Sequence, residues 1–141
     1  MRKDLEKQLY NKYPEFFKQK DLPASETCMS LGIETGSGWF YLIDELVGKI
    51  IKLDPKVEAT QVKEKFGLLR IYTTATKHEV WDLIDKYQKK SAKVCEECGS
   101  KGKHRKPGGW FLTLCDDCFI KYCEEKKDIL KEGAIDEEVN K

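Results

Sequence analysis

Cys95, Cys98, Cys115 and Cys118 form two C-x2-C pairs separated by sixteen residues. This spacing constrains the C-terminal third of the chain more than any other feature. One C-x2-C pair lets two thiolates reach one ion from a tight turn, and two pairs complete the tetrahedral S4 shell that Zn2+ prefers. Such a shell leaves no position for a reacting water, so the expected role of the Zn2+ is structural. Two disulfides or four unconnected thiols are the alternatives. The spacing and the intracellular character of the chain favour metal.

The residues around each pair refine that expectation. The first pair runs Cys95-Glu96-Glu97-Cys98-Gly99, and the glycine suits the left-handed turn of a zinc knuckle. The second pair follows a β-prone run, Trp110 to Leu114, and precedes a helix-compatible stretch to about Lys131. Asp116 and Asp117 complement the positive end of that helix. Knuckle, hairpin and a thiolate pair opening a helix resemble a treble-clef zinc finger. Cys28 and Cys123 have no partner at metal spacing and read as ordinary small hydrophobes.

At 141 residues the chain has room for one domain with a small zinc-bearing appendage. Its hydrophobic fraction of 40% can build a core, and its net charge of +1 gives no global attraction to polyanions. The charge is uneven, however. Lys86, Lys89, Lys90, Lys93, Lys101, Lys103, Arg105 and Lys106 form a basic stretch, and an acidic one runs from Glu124 to the end. A charge run is commonly a solvated face, and that reading stands beside any binding role. The first residues are charged and lack the apolar centre of a signal peptide, and no run has membrane-spanning length. The expectation is a cytoplasmic protein with no membrane partner.

Leu5, Leu9 and Tyr13 predict a first amphipathic helix, and Cys28 to Glu34 alternates like a strand. The strongest periodicity is helical, in Trp39, Phe40, Ile43, Leu46, Val47, Ile50 and Ile51. Val57 to Lys65 and Leu68 to Thr74 predict two strands joined by a turn at Phe66-Gly67. Thr76-Lys77-His78-Glu79 has the form of a capping box for a helix reaching about Lys93. The order predicts an α+β fold, a small antiparallel sheet with amphipathic helices, followed by the treble-clef-like finger. The expected division is 1–92 for the α+β domain, 93–132 for the finger and its helix, and 133–141 for an acidic tail.

Three stretches carry a wider resemblance: Gly36-Ser37-Gly38-Trp39-Phe40, Lys63-Glu64-Lys65-Phe66-Gly67-Leu68-Leu69-Arg70-Ile71-Tyr72, and Thr113-Leu114-Cys115 with its second cysteine. They resemble a group of small bacteriophage and prophage proteins without an assigned activity. The resemblance implies a phage or prophage origin and expression in the cytoplasm of a bacterial host. Where that group often carries an acidic residue between the two glycines, this chain has Ser37.

Several residues are candidates for contact with a partner. Lys101, Lys103, His104, Arg105 and Lys106, with Trp110 close behind, form a basic hairpin tip suited to phosphates. Ser37, Gly38 and Trp39 form a glycine-rich entry to a helix whose N–H groups can hold an anion; the plainer reading is a connection with Trp39 in the core. Lys63, Lys65, Arg70 and Tyr72 can line one basic face suited to nucleotide phosphates and a stacked base, or form the polar side of a half-covered sheet. No catalytic residue stands out, and His104 lacks a second histidine or an asparagine partner nearby. The expected function is a non-enzymatic zinc-binding module for nucleic acid or protein. The alternatives are an inhibitor of host defence that captures a host protein or a nucleotide signal, and a metal-dependent nuclease.

Overall fold

The computed structural model describes residues 1–131, so the acidic tail expected at 133–141 lies outside the described residues. Its architecture is α+β. Helix α1 (Lys3–Lys12) leads into strand β1 (Ile33–Glu34), helix α2 (Phe40–Leu53), the hairpin β2 (Ala59–Lys65) and β3 (Leu68–Thr73), and helix α3 (His78–Ser91). A second hairpin, β4 (Lys103–Arg105) and β5 (Leu112–Leu114), and helix α4 (Asp116–Lys131) complete it.

Helix α2 is the centre of the core. Its apolar residues recur at helical spacing, so Ile43, Leu46, Val47 and Ile50 share one face and are all buried. That face meets α3, and α3 packs along β3. Val62, Leu69 and Ile71 point into the same core, joined by Leu9, Phe16, Phe17, Met29 and Tyr87. Burying one such aliphatic side chain contributes about 1.5–3 kcal/mol, which makes this cluster the main source of stability.

The main sheet has the order β1-β2-β3 and is mixed rather than antiparallel throughout. Strand β1 runs parallel to β2, with Ile33 beside Val62 and Glu34 beside Lys63. Parallel neighbours need a crossover, and α2 supplies it. Most of the strand expected at Cys28 to Glu34 is instead a 3-10 turn, Cys28–Leu31. The Thr27 hydroxyl accepts the Met29 N–H and starts the turn, and Gly32 at φ +83° ends it. Only Ile33 and Glu34 remain to pair. The Ile33 N–H is taken by the buried Glu6 carboxylate at 2.9 Å.

The Thr76–Glu79 capping box is also absent. Lys77 is the N-cap of α3 and makes no side-chain cap bond. The entry is held by a local bond from the Trp81 indole to Ala75 O and a long-range one from Lys77 Nζ to Leu53 O.

The turn joining β2 to β3 forms where expected, with Gly67 at φ +74°. Phe66 lies in the left-handed region as well, at φ +57°. Two consecutive positive φ values make the hairpin turn whose twist suits the flanking strands, and its first position favours asparagine, aspartate or glycine. Phenylalanine there is a strained choice, and its ring stays 57% exposed.

Candidate functional site

The first cysteine pair is a tight knuckle. The Cys95 N–H donates to Ser100 O at 2.7 Å, and the Gly99 N–H donates back to Cys95 O at 2.9 Å. The second pair straddles the junction of β5 and α4, where the Cys118 N–H points at Cys115 Sγ from 3.4 Å. Knuckle, hairpin and helix thereby bring all four Sγ atoms within 4.8 Å of one another. Cys98 and Cys115 are 3.7 Å apart. With Zn–S bonds of about 2.3 Å, the edge of a tetrahedral ZnS4 unit is about 3.8 Å, so the donor set fits a tetrahedral ion.

Local hydrogen bonds lower two of the thiols. The Cys118 backbone N–H brings Cys115 down to about 6, and the Ser100 hydroxyl lowers Cys98. Burial pushes Cys118 the other way. Four sulfurs this close can all ionise only around a cation, whose charge overrides these local preferences. Among the described residues, this is the only group of three or more histidine, cysteine or acidic side chains placed to hold a metal ion. Cys28 and Cys123 lie outside it.

The metal unit is seated on the α+β part through bonds to the unit's own backbone carbonyls. The Gly38 N–H donates to Glu96 O at 2.9 Å, and the Trp39 indole N–H donates to Val94 O at 2.8 Å. A Cβ on Gly38 would lie 2.6 Å from Gly99 N and 2.7 Å from the Glu96 carbonyl carbon, and closer still to Cys95 O. One on Gly36 would run into Glu96 O. These glycines let two backbones touch, the role that residue type fills when no side chain fits. The anion-cradle reading of Ser37, Gly38 and Trp39 is therefore corrected. The Gly38 donor is committed, Trp39 is fully buried, and Ser37 Oγ accepts the Arg2 N–H.

A second seam lies at the other end of the unit. The Glu96 N–H donates to Thr113 O, and the Thr113 N–H donates to the Glu96 carboxylate, both at 2.9 Å. Burial pushes that carboxyl up to about 7, against the pull of the Thr113 N–H. The Thr113 hydroxyl donates to Gly67 O at 2.6 Å and so accepts from His104 Nδ1 at 3.1 Å. His104 stacks on Phe111 with ring centroids 5.2 Å apart. It is part of the seam rather than a free tip residue.

The basic hairpin divides by strand alternation. Lys103 and Arg105 turn toward the start of α4, where both meet Asp116, at 3.4 and 2.6 Å. Arg105 is a strut: it also donates to Leu114 O, lies 4.3 Å from the Phe119 ring centroid and is only 17% exposed. Its expected role at the hairpin tip is corrected accordingly. Lys101 and Lys106 make no ion pair among the described residues and are exposed, as is Trp110. Arg105→Ala is expected to lower the melting temperature, by about 3–5 °C for each kcal/mol lost. Lys101→Ala should leave it unchanged, and paired thermal melts of the two variants measure the contrast.

The β2–β3 register puts Lys63 opposite Arg70, Gln61 opposite Tyr72 and Lys65 opposite Leu68. Cross-strand partners share a face, so these six lie on one side, and the buried Val62, Leu69 and Ile71 lie on the other. Lys63, Lys65, Arg70 and Tyr72 thus share one face, as both the binding reading and the half-covered-sheet reading require. Phe66 and Phe111 extend it at the turn and were not among the expected contact residues. Their rings meet edge to face at 5.9 Å, Lys65 Nζ sits 5.6 Å from the Phe66 centroid, and Lys106 Nζ sits 4.9 Å from that of Phe111. A phenylalanine at a turn position that disfavours it is the signal in the sequence that could have found this cluster.

No helix among the described residues is long and apolar enough to cross a membrane. No protein-family model, curated protein or solved structure matches the chain.

Proposed function

We propose that the chain is a zinc-stabilised nucleic-acid-binding module of phage or prophage origin, working in the host cytoplasm by binding rather than catalysis. Cys95, Cys98, Cys115 and Cys118 hold the Zn2+. The ion supplies rigidity alone, because four thiolates fill its shell.

One observation carries the reading. Where the metal hairpin meets the β2–β3 turn, two lysines lie over two aromatic rings, Lys65 on Phe66 and Lys106 on Phe111. Phe66 holds a strained backbone there with its ring in solvent. Strain kept at an exposed aromatic residue is a mark of functional sites. Ammonium groups beside open rings meet the two recurring needs of a nucleic acid, charge at phosphate and a flat apolar surface for a base. The nuclease alternative gains little support from the geometry. His104 is held by Thr113 and Phe111, and no second cluster of metal-ligating side chains stands near it among the described residues.

Fluorescence anisotropy with labelled oligonucleotides across a salt series tests the proposal. Binding should weaken as salt rises, and the double variant Lys65→Ala/Lys106→Ala should bind less tightly with a flatter salt slope and unchanged zinc content. If the wild-type chain binds no DNA or RNA at low ionic strength, capture of a host protein or a nucleotide signal becomes the better account.

A further inference from the structure

The open face of the main sheet continues the aromatic cluster, and its chemistry is more selective than a basic patch. Lys65 belongs to both, since it shares the face with Lys63 and Arg70 while its ammonium lies over Phe66. From Phe66 the face runs past Lys65 and Leu68, then the Lys63–Arg70 pair, to Tyr72, which is 42% exposed. At about 3.4 Å per residue, Phe66 and Tyr72 stand roughly 15–20 Å apart along the strand. Two accessible aromatic side chains are thus separated by a basic stretch on a rigid hairpin.

The charges on this face are only partly engaged within the molecule. Lys63 and Lys65 form no ion pair among the described residues, although Glu34 lies beside Lys63 on β1. Arg70 Nη1 donates to Gln88 Oε1 at 3.2 Å, which fixes the guanidinium. Its Nε is the one buried side-chain nitrogen or oxygen among the described residues without a hydrogen-bond partner. An Nε this enclosed is out of reach of a ligand on the face, so a phosphate must be met by the Nη groups of the guanidinium.

We infer that this face is a track for a single-stranded nucleic acid, with bases stacked on Phe66 and Tyr72 and the intervening backbone held by Lys63, Lys65 and Arg70. The inference rests on the nucleic-acid reading above and sharpens it. A duplex keeps its bases stacked on one another and offers none to the sheet, whereas an unpaired strand can splay them onto aromatic rings. A purely electrostatic tip would not discriminate in this way.

The test compares a labelled dT12 strand, an rU12 strand and a 12-base-pair DNA duplex on the full chain, by anisotropy at several salt concentrations. The single strands should bind more tightly than the duplex. Tyr72→Ala should weaken dT12 binding about 5- to 150-fold, the range for losing one stacked base, while Tyr72→Phe retains it. Lys63→Gln should lower the salt slope by about 0.7, the share of one phosphate on a single strand. Tyr41→Ala removes an exposed ring on α2 and should change nothing. Thermal melts and zinc content check that each variant is folded. Equal affinity for strand and duplex, or a folded Tyr72→Ala protein with wild-type binding, overturns the sheet track and leaves the lysine and ring cluster of Lys65, Phe66, Lys106 and Phe111 standing. No salt-sensitive binding to any of the three probes overturns both.

Discussion

Protein purified without added metal is expected to contain one zinc ion per chain, and Cys115→Ser is expected to abolish it. Binding energy at a structural zinc site is folding energy, on the order of 10–16 kcal/mol in small zinc domains. That equals or exceeds the 5–15 kcal/mol that holds a typical domain together. The loss should remove β4, β5 and the start of α4, because the sulfurs link the knuckle to the β5–α4 junction. Helices α1 to α3 should persist, since their core of Leu9, Phe16, Phe17, Ile43, Val47 and Tyr87 includes none of the four cysteines. The effect should nevertheless reach α2. Trp39 is bonded to Val94 O, immediately before Cys95, so its indole N–H resonance should move when zinc is removed. Elemental analysis, circular dichroism and that resonance give three separate readouts. A zinc content near zero in wild-type protein, with the thiols oxidised, would sink the zinc reading.

Legibility followed from whether a signal was periodic, spaced or three-dimensional. Helix α2 was readable because every third or fourth residue from Trp39 to Ile51 is apolar, a pattern only one helical face satisfies. The metal quartet was readable because C-x2-C fixes its geometry within four residues. The segment before β1 reads as strand because Met29, Leu31 and Ile33 alternate in the sequence, but Thr27 caps a 3-10 turn over Cys28–Leu31 that buries Met29 and leaves Leu31 exposed. The role of Arg105 is hidden in the sequence because positions 101 to 106 read as one block of charge. Alternation along β4 turns Lys103 and Arg105 toward Asp116 and His104 toward Phe111. The glycine-rich loop was the least legible. Its glycines serve a contact with Cys95 and Glu96, nearly sixty residues away in the chain, and no local pattern announces such a meeting.

Gly38→Ala should therefore be among the most damaging single-methyl changes available in this protein. The added carbon would lie 2.6 Å from Gly99 N and 2.7 Å from the Glu96 carbonyl carbon, and nearer still to Cys95 O. All three atoms belong to backbone that the knuckle's own hydrogen bonds hold in place, so none can swing aside as a side chain would. Overpacking a core commonly costs about 1–3 kcal/mol, and a clash with constrained backbone lies at or beyond the upper end. The bond from the Gly38 N–H to Glu96 O would be lost as the surfaces part, and Trp39 next in sequence would be drawn away from Val94 O. A fall in melting temperature of about 10 °C or more is expected, together with weaker zinc retention against a chelator. Gly48→Ala is the contrasting variant. It lies within α2, where alanine is favoured by about 1 kcal/mol, and its new methyl would meet only the Tyr13 hydroxyl at 3.2 Å. The Tyr13 hydroxyl, bonded to Asp44 Oδ1 at 2.6 Å, must give by a few tenths of an ångström to admit the methyl, which offsets that gain, so the variant should melt near the wild-type temperature with its zinc intact. If Gly38→Ala instead melts like the wild type and holds zinc equally well, the knuckle does not rest on this loop in solution, and the metal unit and the α+β part are independent of each other.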